Sequence, residues 1–224
     1  MSGPLVPRES GSWDAHINTA YPGLDLINAE PAIFRIENFL SEEEVAQLIE
    51  VGQPCLVRAP VVAATKTTSK VGKGRTSSTA FLDKELVPWF LAKVAALTNK
   101  PLGHMERPQV GHYGPGEWYA SHFDAVDMAS DVGRAFAANG GQRLVTVLVY
   151  LSSTEGSGGR TSFNSIPGIE NFAIVPKLGT AIMFFPGKLN GELDRRLLHT
   201  AERADCEKWV SQVWIRQGDY LYGS

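Results

Sequence analysis

Beyond about residue 30 the chain alternates between two hydrophobic periods, one suited to strands and one to helices. Ala32-Ile-Phe-Arg-Ile36 alternates as a first strand. Phe39-Leu-Ser41-Glu-Glu-Glu44 then carries a capping box, with Ser41 as N-cap and Glu44 three residues on, and Val45, Leu48 and Ile49 follow at helical spacing. A second helix is predicted over residues 81–98, with Leu86, Phe90, Val94 and Leu97 on one face. Pro88 falls near its first turn, where a missing N–H is tolerated. Residues 106–113 read as a strand, and Arg143-Leu-Val-Thr-Val-Leu-Val-Tyr-Leu151, β-branched and apolar in character, as a central one. Short strands are expected at 159–163, 172–176, 180–185 and 209–216, split by Gly and Pro turns. Helices followed by strands predict an α+β chain. Its strands are expected to form a double-stranded β-helix, or jelly-roll barrel, with N-terminal supporting helices.

Composition adds boundaries to this pattern. Residues 1–30 are rich in Gly, Pro, Ser and Asn and read as an N-terminal arm. Residues 31–224 read as one domain, since 224 residues with 43% hydrophobic content fill a single core. Residues 127–141 predict an insertion with a short helix. Residues 65–78 are small, polar and basic, so they predict a surface loop, either a plain solvated connection or a substrate lid. A charged fraction of 20% and a net charge of −3 give no field that would favour nucleic acid. No apolar run reaches membrane-spanning length and no secretory h-region is visible, so no membrane partner is expected. Localisation stays open between the cytoplasm and a trimmed secretory-pathway domain. Cys55 and Cys206 make neither a zinc site nor a disulfide scaffold, and read as inert, part-buried thiols unless the fold brings them together.

The candidate chemistry sits in Tyr113-Gly-Pro-Gly-Glu-Trp-Tyr-Ala-Ser-His122-Phe-Asp124. His122 and Asp124 stand two apart, so on a strand or its extended exit both project from one face. One short segment then offers a metal an imidazole and a carboxylate. His199, far downstream, would complete a two-His, one-carboxylate set whose open positions suit an iron that takes a co-substrate and oxygen. The pair alone is a weak signal, because His-x-Asp recurs by chance, and His199 alone reads as an ordinary surface or capping histidine. Lys208 opens the strand Lys208-Trp-Val-Ser-Gln-Val-Trp-Ile-Arg216. Either it snorkels at the strand end, or it enters the interior and needs an anion there.

Six segments, taken in order between residues 34 and 216, carry a family likeness. They are Arg75-Thr-Ser-Ser-Thr-Ala-Phe-Leu82, residues 109–124, residues 141–151, Gly158-Gly-Arg-Thr-Ser-Phe163, Gly179-Thr-Ala-Ile-Met-Phe-Phe185, and Leu198-His199 with the Lys208 strand. Together they resemble the prolyl 4-hydroxylase branch of the iron(II)- and 2-oxoglutarate-dependent dioxygenases. The resemblance implies iron(II) on His122, Asp124 and His199, with Lys208 pairing the distal carboxylate of 2-oxoglutarate and Tyr113 and Thr161 hydrogen-bonding the same cosubstrate. It implies a peptide groove lined by Arg75, Ser77, Glu106, Tyr119, Arg143 and Trp214, and a proline-containing peptide or protein as substrate. O2 is then the second cosubstrate, L-ascorbate a candidate cofactor, and succinate and carbon dioxide the products of the cosubstrate. Asp124 itself argues for hydroxylation, because related halogenases lack that carboxylate. The chain departs from the family at two points. Lys208 lies nine residues after His199, where collagen-type members usually have ten, and Arg160 stands where an acid is frequent. Two rival readings are a hydroxylase of a free amino acid or small metabolite on the same fold, and a non-catalytic barrel that binds metal or peptide.

Overall fold

The computed structural model describes residues 17–59 and 74–221. The capping box forms as predicted. Ser41 Oγ accepts the Glu44 N–H, Glu44 accepts the Ser41 N–H at 2.8 Å, and α1 (Glu42–Gly52) starts there. The second helix, α2 (Pro88–Thr98), is shorter than expected. Pro88 occupies its first turn, where φ is already suited and no N–H is needed. Residues 78–81 are strand, because they pair with residues 109–112 across a sheet. Asn99, in the left-handed conformation at φ 50°, ends α2. A short α3 (Asp131–Ala137) lies inside the expected insertion, capped by Ser130.

The strands are β1 (Leu24–Ala29), β2 (Ala32–Ile36), β3 (Val57–Arg58), β4 (Ser78–Phe81), β5 (Gln109–Tyr113), β6 (Tyr119–His122), β7 (Arg143–Tyr150), β8 (Thr161–Phe163), β9 (Phe172–Ile174), β10 (Ala181–Phe184), β11 (His199–Ala201) and β12 (Lys208–Arg216). Eight form one sheet in the order β1-β2-β10-β7-β12-β5-β4-β3, and four form a second in the order β6-β11-β8-β9. All neighbours are antiparallel, and β7 is central as expected. β1 falls within the stretch expected as an arm, of which residues 1–16 lie outside the described residues.

Alternation along the large sheet feeds two cores. Val145, Val147, Val149, Met183, Val213 and Ile215 pack with Leu48, Phe90 and Val94 of the helices. Leu148, Tyr150, Ile182, Phe184 and Val210 face the other way, toward Phe163 of the small sheet. The jelly-roll expectation needs correction. Among the described residues neither sheet closes on itself: β1 and β3 end the larger one, and β6 and β9 the smaller. The arrangement is two open antiparallel sheets face to face, with α1 and α2 on the outer face of the larger. Period-two alternation specifies which side chains point inward, but it carries no information on whether the edges of two sheets hydrogen-bond to each other.

Most of the expected 65–78 loop lies outside the described residues. Its last part runs along the free edge of β6, where Ala120 N–H donates to Gly74 O at 2.7 Å and Thr76 N–H to Trp118 O at 3.0 Å. Cys55 is exposed and Cys206 half-buried, and both are free thiols. No helix among the described residues is long and apolar enough to cross a membrane.

Candidate metal centre and cosubstrate cavity

His122 ends β6 and His199 begins β11, and the two strands pair with these residues directly opposite. Antiparallel register therefore does what sequence spacing cannot, and joins ligands far apart in the chain. Asp124 lies just beyond the β6 exit and is buried. Ligand atoms of the three residues all fall within 4.8 Å of one another. Each imidazole Nδ1 is tied to a main-chain carbonyl, His122 to Ala120 O at 2.8 Å and His199 to Leu197 O at 3.0 Å. That places the proton on Nδ1 and leaves the Nε2 lone pair free for a metal. His122 Nε2 stands 3.8 Å from Asp124 Oδ1, and His199 Nε2 3.8 Å from Oδ2. These gaps are too long for hydrogen bonds and short enough for one ion to touch all three.

Electrostatics agree with that donor set. Burial, followed by the neighbouring His199, pushes the His122 pKa down to about 3, so its imidazole is neutral. Burial alone would push the Asp124 carboxyl up. The imidazoles of His199 and His122, the Arg143 guanidinium and the Thr146 hydroxyl outweigh it and hold Asp124 below the ordinary aspartate value. A neutral His122 imidazole beside an ionised carboxylate suits a divalent cation. Phe163 and Phe184 wall the His199 ring at 5.5 and 5.0 Å, and Tyr119 stacks on His122 at 3.7 Å.

Lys208 lies in the same cavity, which Tyr113, Tyr119, His122, Thr161, His199 and Gln212 also line. Its register opposite Tyr113 turns the side chain inward, and it is 1% exposed. The snorkelling alternative is thereby excluded. Nζ donates to Gly159 O at 2.6 Å and sits 5.3 Å above the Tyr113 ring, and among the described residues no carboxylate pairs with it. Burial takes its pKa down to about 8. Removing an ammonium from water costs several kcal/mol, and one neutral carbonyl does not return that. An anion reaching Nζ in this cavity would offset that cost. Gly158 and Gly159, at φ 76° and 68°, shape this end: a Cβ on Gly158 would sit 2.5 Å from Arg203 O.

The residues expected in a peptide groove form two groups around the centre. Arg75 bonds Ser77 Oγ at 2.6 Å and covers the Tyr119 ring at 4.6 Å. On the other side both Glu106 oxygens accept from Arg143, at 2.6 and 2.7 Å, and Oε1 also from Arg216 at 2.6 Å. Arg143 lies over the Trp214 ring at 3.8 Å, and its Nη1 donates to Asp124 O at 3.2 Å. Sequence reasoning missed Thr146, which donates to Asp124 Oδ2 at 2.8 Å, and Tyr150, which donates to Thr161 Oγ1 at 2.9 Å. It also missed Gln109 and Gln212, joined at 2.8 Å, and Arg216. Thr146, Leu148 and Tyr150 alternate on the cavity face of β7, so two hydroxyls at matching phase in an apolar strand were the available signal.

Residues 108–216 match the model of the 2OG-Fe(II) oxygenase superfamily, an interval that contains the metal triad, Lys208, Tyr113 and Thr161. A probable prolyl 4-hydroxylase 3 of Arabidopsis thaliana is 32% identical over 219 residues, covering 88% of this chain and 73% of that protein. Prolyl 4-hydroxylase 5 of the same plant is 30% identical over 216 residues, 88% of this chain and 72% of the relative. Among solved structures, the viral collagen prolyl hydroxylase of Paramecium bursaria Chlorella virus-1 in its 2OG complex aligns with a TM-score of 0.63 at 28% identity, over 82% of this chain and 95% of that one. A His–Asp–His centre with this likeness makes the protein an iron(II)- and 2-oxoglutarate-dependent hydroxylase. The chain belongs to the prolyl 4-hydroxylase branch of the 2OG-Fe(II) oxygenases.

Proposed function

We propose that this chain hydroxylates proline residues within peptides, with iron(II), 2-oxoglutarate and O2. The observation that carries the reading is the buried Lys208 ammonium, which has no carboxylate partner among the described residues and shares one cavity with the His122–Asp124–His199 centre. His122 and His199 would hold the metal through Nε2, and Asp124 through its carboxylate. Iron(II), the 2-oxo acid and O2 together supply the oxidising power that inserts oxygen into a C–H bond, the 2-oxo acid leaving as succinate and carbon dioxide. Lys208 takes the distal carboxylate of the 2-oxo acid. Thr161 accepts from Tyr150 and so has its own proton to give that carboxylate, and the Tyr113 hydroxyl joins it. L-Ascorbate belongs to this reading as a reductant that keeps the iron ferrous.

The substrate side is assigned to Arg75, Ser77 and Tyr119 on one flank and to Glu106, Arg143 and Trp214 on the other. Trp214 Nε1 is buried and has no hydrogen-bond partner among the described residues, and Arg75 and Arg143 add guanidinium donors. A proline-rich strand has many carbonyl acceptors and few N–H groups, so a donor-rich rim matches it. Its polyproline II form is ordered before binding, which lowers the entropy lost on capture. The likeness to proteins named prolyl 4-hydroxylases supports the same choice.

Succinate release with iron(II) and 2-oxoglutarate, measured with a poly-proline peptide, with free proline and with neither, tests the assignment. The peptide is expected to stimulate turnover well above the other two, and His199→Ala to be inert while keeping its circular dichroism. Equal release with peptide and free proline would sink the peptide claim in favour of a small-metabolite hydroxylase.

A further inference from the structure

Thr146 stands in the middle of β7, in register with Phe184 of β10 on one side and Trp214 of β12 on the other, and is fully buried. A hydroxyl on that face of an apolar strand is costly to leave unpaired, so its partner is informative. The partner is Asp124 Oδ2, at 2.8 Å. Among the described residues this is the side-chain donor that reaches the carboxylate, since both imidazole Nε2 atoms stop 3.8 Å away. A β-branched side chain has little freedom about χ1, and the two aromatic neighbours narrow it further. The hydroxyl is therefore aimed by the strand. Arg143 completes the hold from the main-chain side through Asp124 O, with its own Nε and Nη2 tied to Glu106.

Resting on the metal site proposed above, we infer that Thr146 is a positioning residue that fixes Asp124 as a one-oxygen ligand. By occupying Oδ2 it leaves Oδ1 to the ion and prevents the second oxygen from closing on the same ion. A carboxylate that closed with both oxygens would take up a position that a chelating cosubstrate and oxygen need. Thr146 therefore sets how many positions stay open, without touching metal or substrate. Partners of this kind around metal ligands are commonly worth a factor of ten to a hundred in metal affinity.

Equilibrium titration of the full chain with Co(II), read by visible absorption, tests this without turnover. Thr146→Val, nearly isosteric and without the hydroxyl, is expected to bind roughly tenfold to hundredfold more weakly and with an altered absorption envelope. Thr146→Ser, which restores the donor, is expected to match the parent in both. Parent-like affinity and spectrum in Thr146→Val would overturn the inference. Equal weakening in valine and serine variants would overturn it too, because packing rather than the hydroxyl would then be responsible. If the valine variant does not fold, Thr146→Ala against Thr146→Ser makes the same comparison, with metal-free melting curves as the control for packing. Failure is separable from that of the underlying site: unaltered Co(II) binding in His199→Ala would refute the triad itself, whatever Thr146 does.

Discussion

Lys208 joins burial to chemistry at the scale of one residue. Burial lowers its pKa to about 8, with only the more distant Glu202 acting upward. The unfolded chain holds that proton up to the ordinary lysine value near 10.4. Between those two values the unfolded state binds more protons, so stability of the ligand-free protein rises with pH across the window. The consequence for binding has the opposite sign, since an anion needs the ammonium. The KM for 2-oxoglutarate is expected to climb as pH passes about 8, measured by succinate release across pH 6.5–9. Lys208→Met is expected to raise that KM roughly tenfold to hundredfold, the value of a hydrogen bond to a charged group, while Co(II) affinity stays unchanged. A KM unmoved by the substitution would remove Lys208 from the cosubstrate site. Lys208 was conspicuous in the sequence as a cation at a strand start, but whether it pointed inward stayed open there. Thr146 was not conspicuous, because threonine is ordinary in strands and its meaning comes only from a neighbour twenty-two residues away in sequence.

At the scale of elements, local chemistry was read well and tertiary choice less so. The Ser41–Glu44 box involves four consecutive residues and formed as spelled out. Ser41→Ala is expected to cost about 1 kcal/mol of stability by urea unfolding with no change in kcat, because α1 lies on the outer face of the large sheet. A loss of activity without a loss of stability would show that α1 reaches the site. The start of α2 was misplaced because apolar residues at 81, 82 and 86 fit a helical face, yet 78–81 are claimed by β5 through the ladder. Cross-strand pairing overrides propensity wherever a partner edge is available. The same limit explains the barrel. Strand positions and their inward faces came from alternation, whereas edge closure depends on contacts that no single segment encodes.

For the molecule as a whole, the Glu106–Arg143–Arg216 cluster ties the approach to β5, the start of β7 and the end of β12 into one unit. Arg216 also reaches Phe136 O and Gly141 O, which fastens the α3 segment to the same point. Glu106→Ala would leave two guanidiniums, one fully and one largely buried, without their counter-charge. A loss of about 3–5 kcal/mol in urea unfolding is expected, together with weaker metal binding through the Arg143 link to Asp124. A change below about 1 kcal/mol would mean that water replaces the carboxylate and that the cluster holds nothing. None of this was visible from composition, since each of the three residues alone passes for an exposed charge.

The pairing of Lys208 with Tyr113 has a further consequence for how the chain tolerates insertions and deletions. The ladder, and not the count of residues from His199, decides which way Lys208 points. The connection between β11 and β12 lies against residues 157–160 through main-chain bonds from Gly159 N–H and Asp205 N–H. One residue more or fewer in that connection is expected to change the size of a turn without turning Lys208 away from Tyr113. One residue added within β12 would instead exchange its two faces beyond that point, sending Trp214 and Arg216 toward the helices and bringing Val213 and Ile215 to the metal side. Length is negotiable between these two strands, and phase within the second is not.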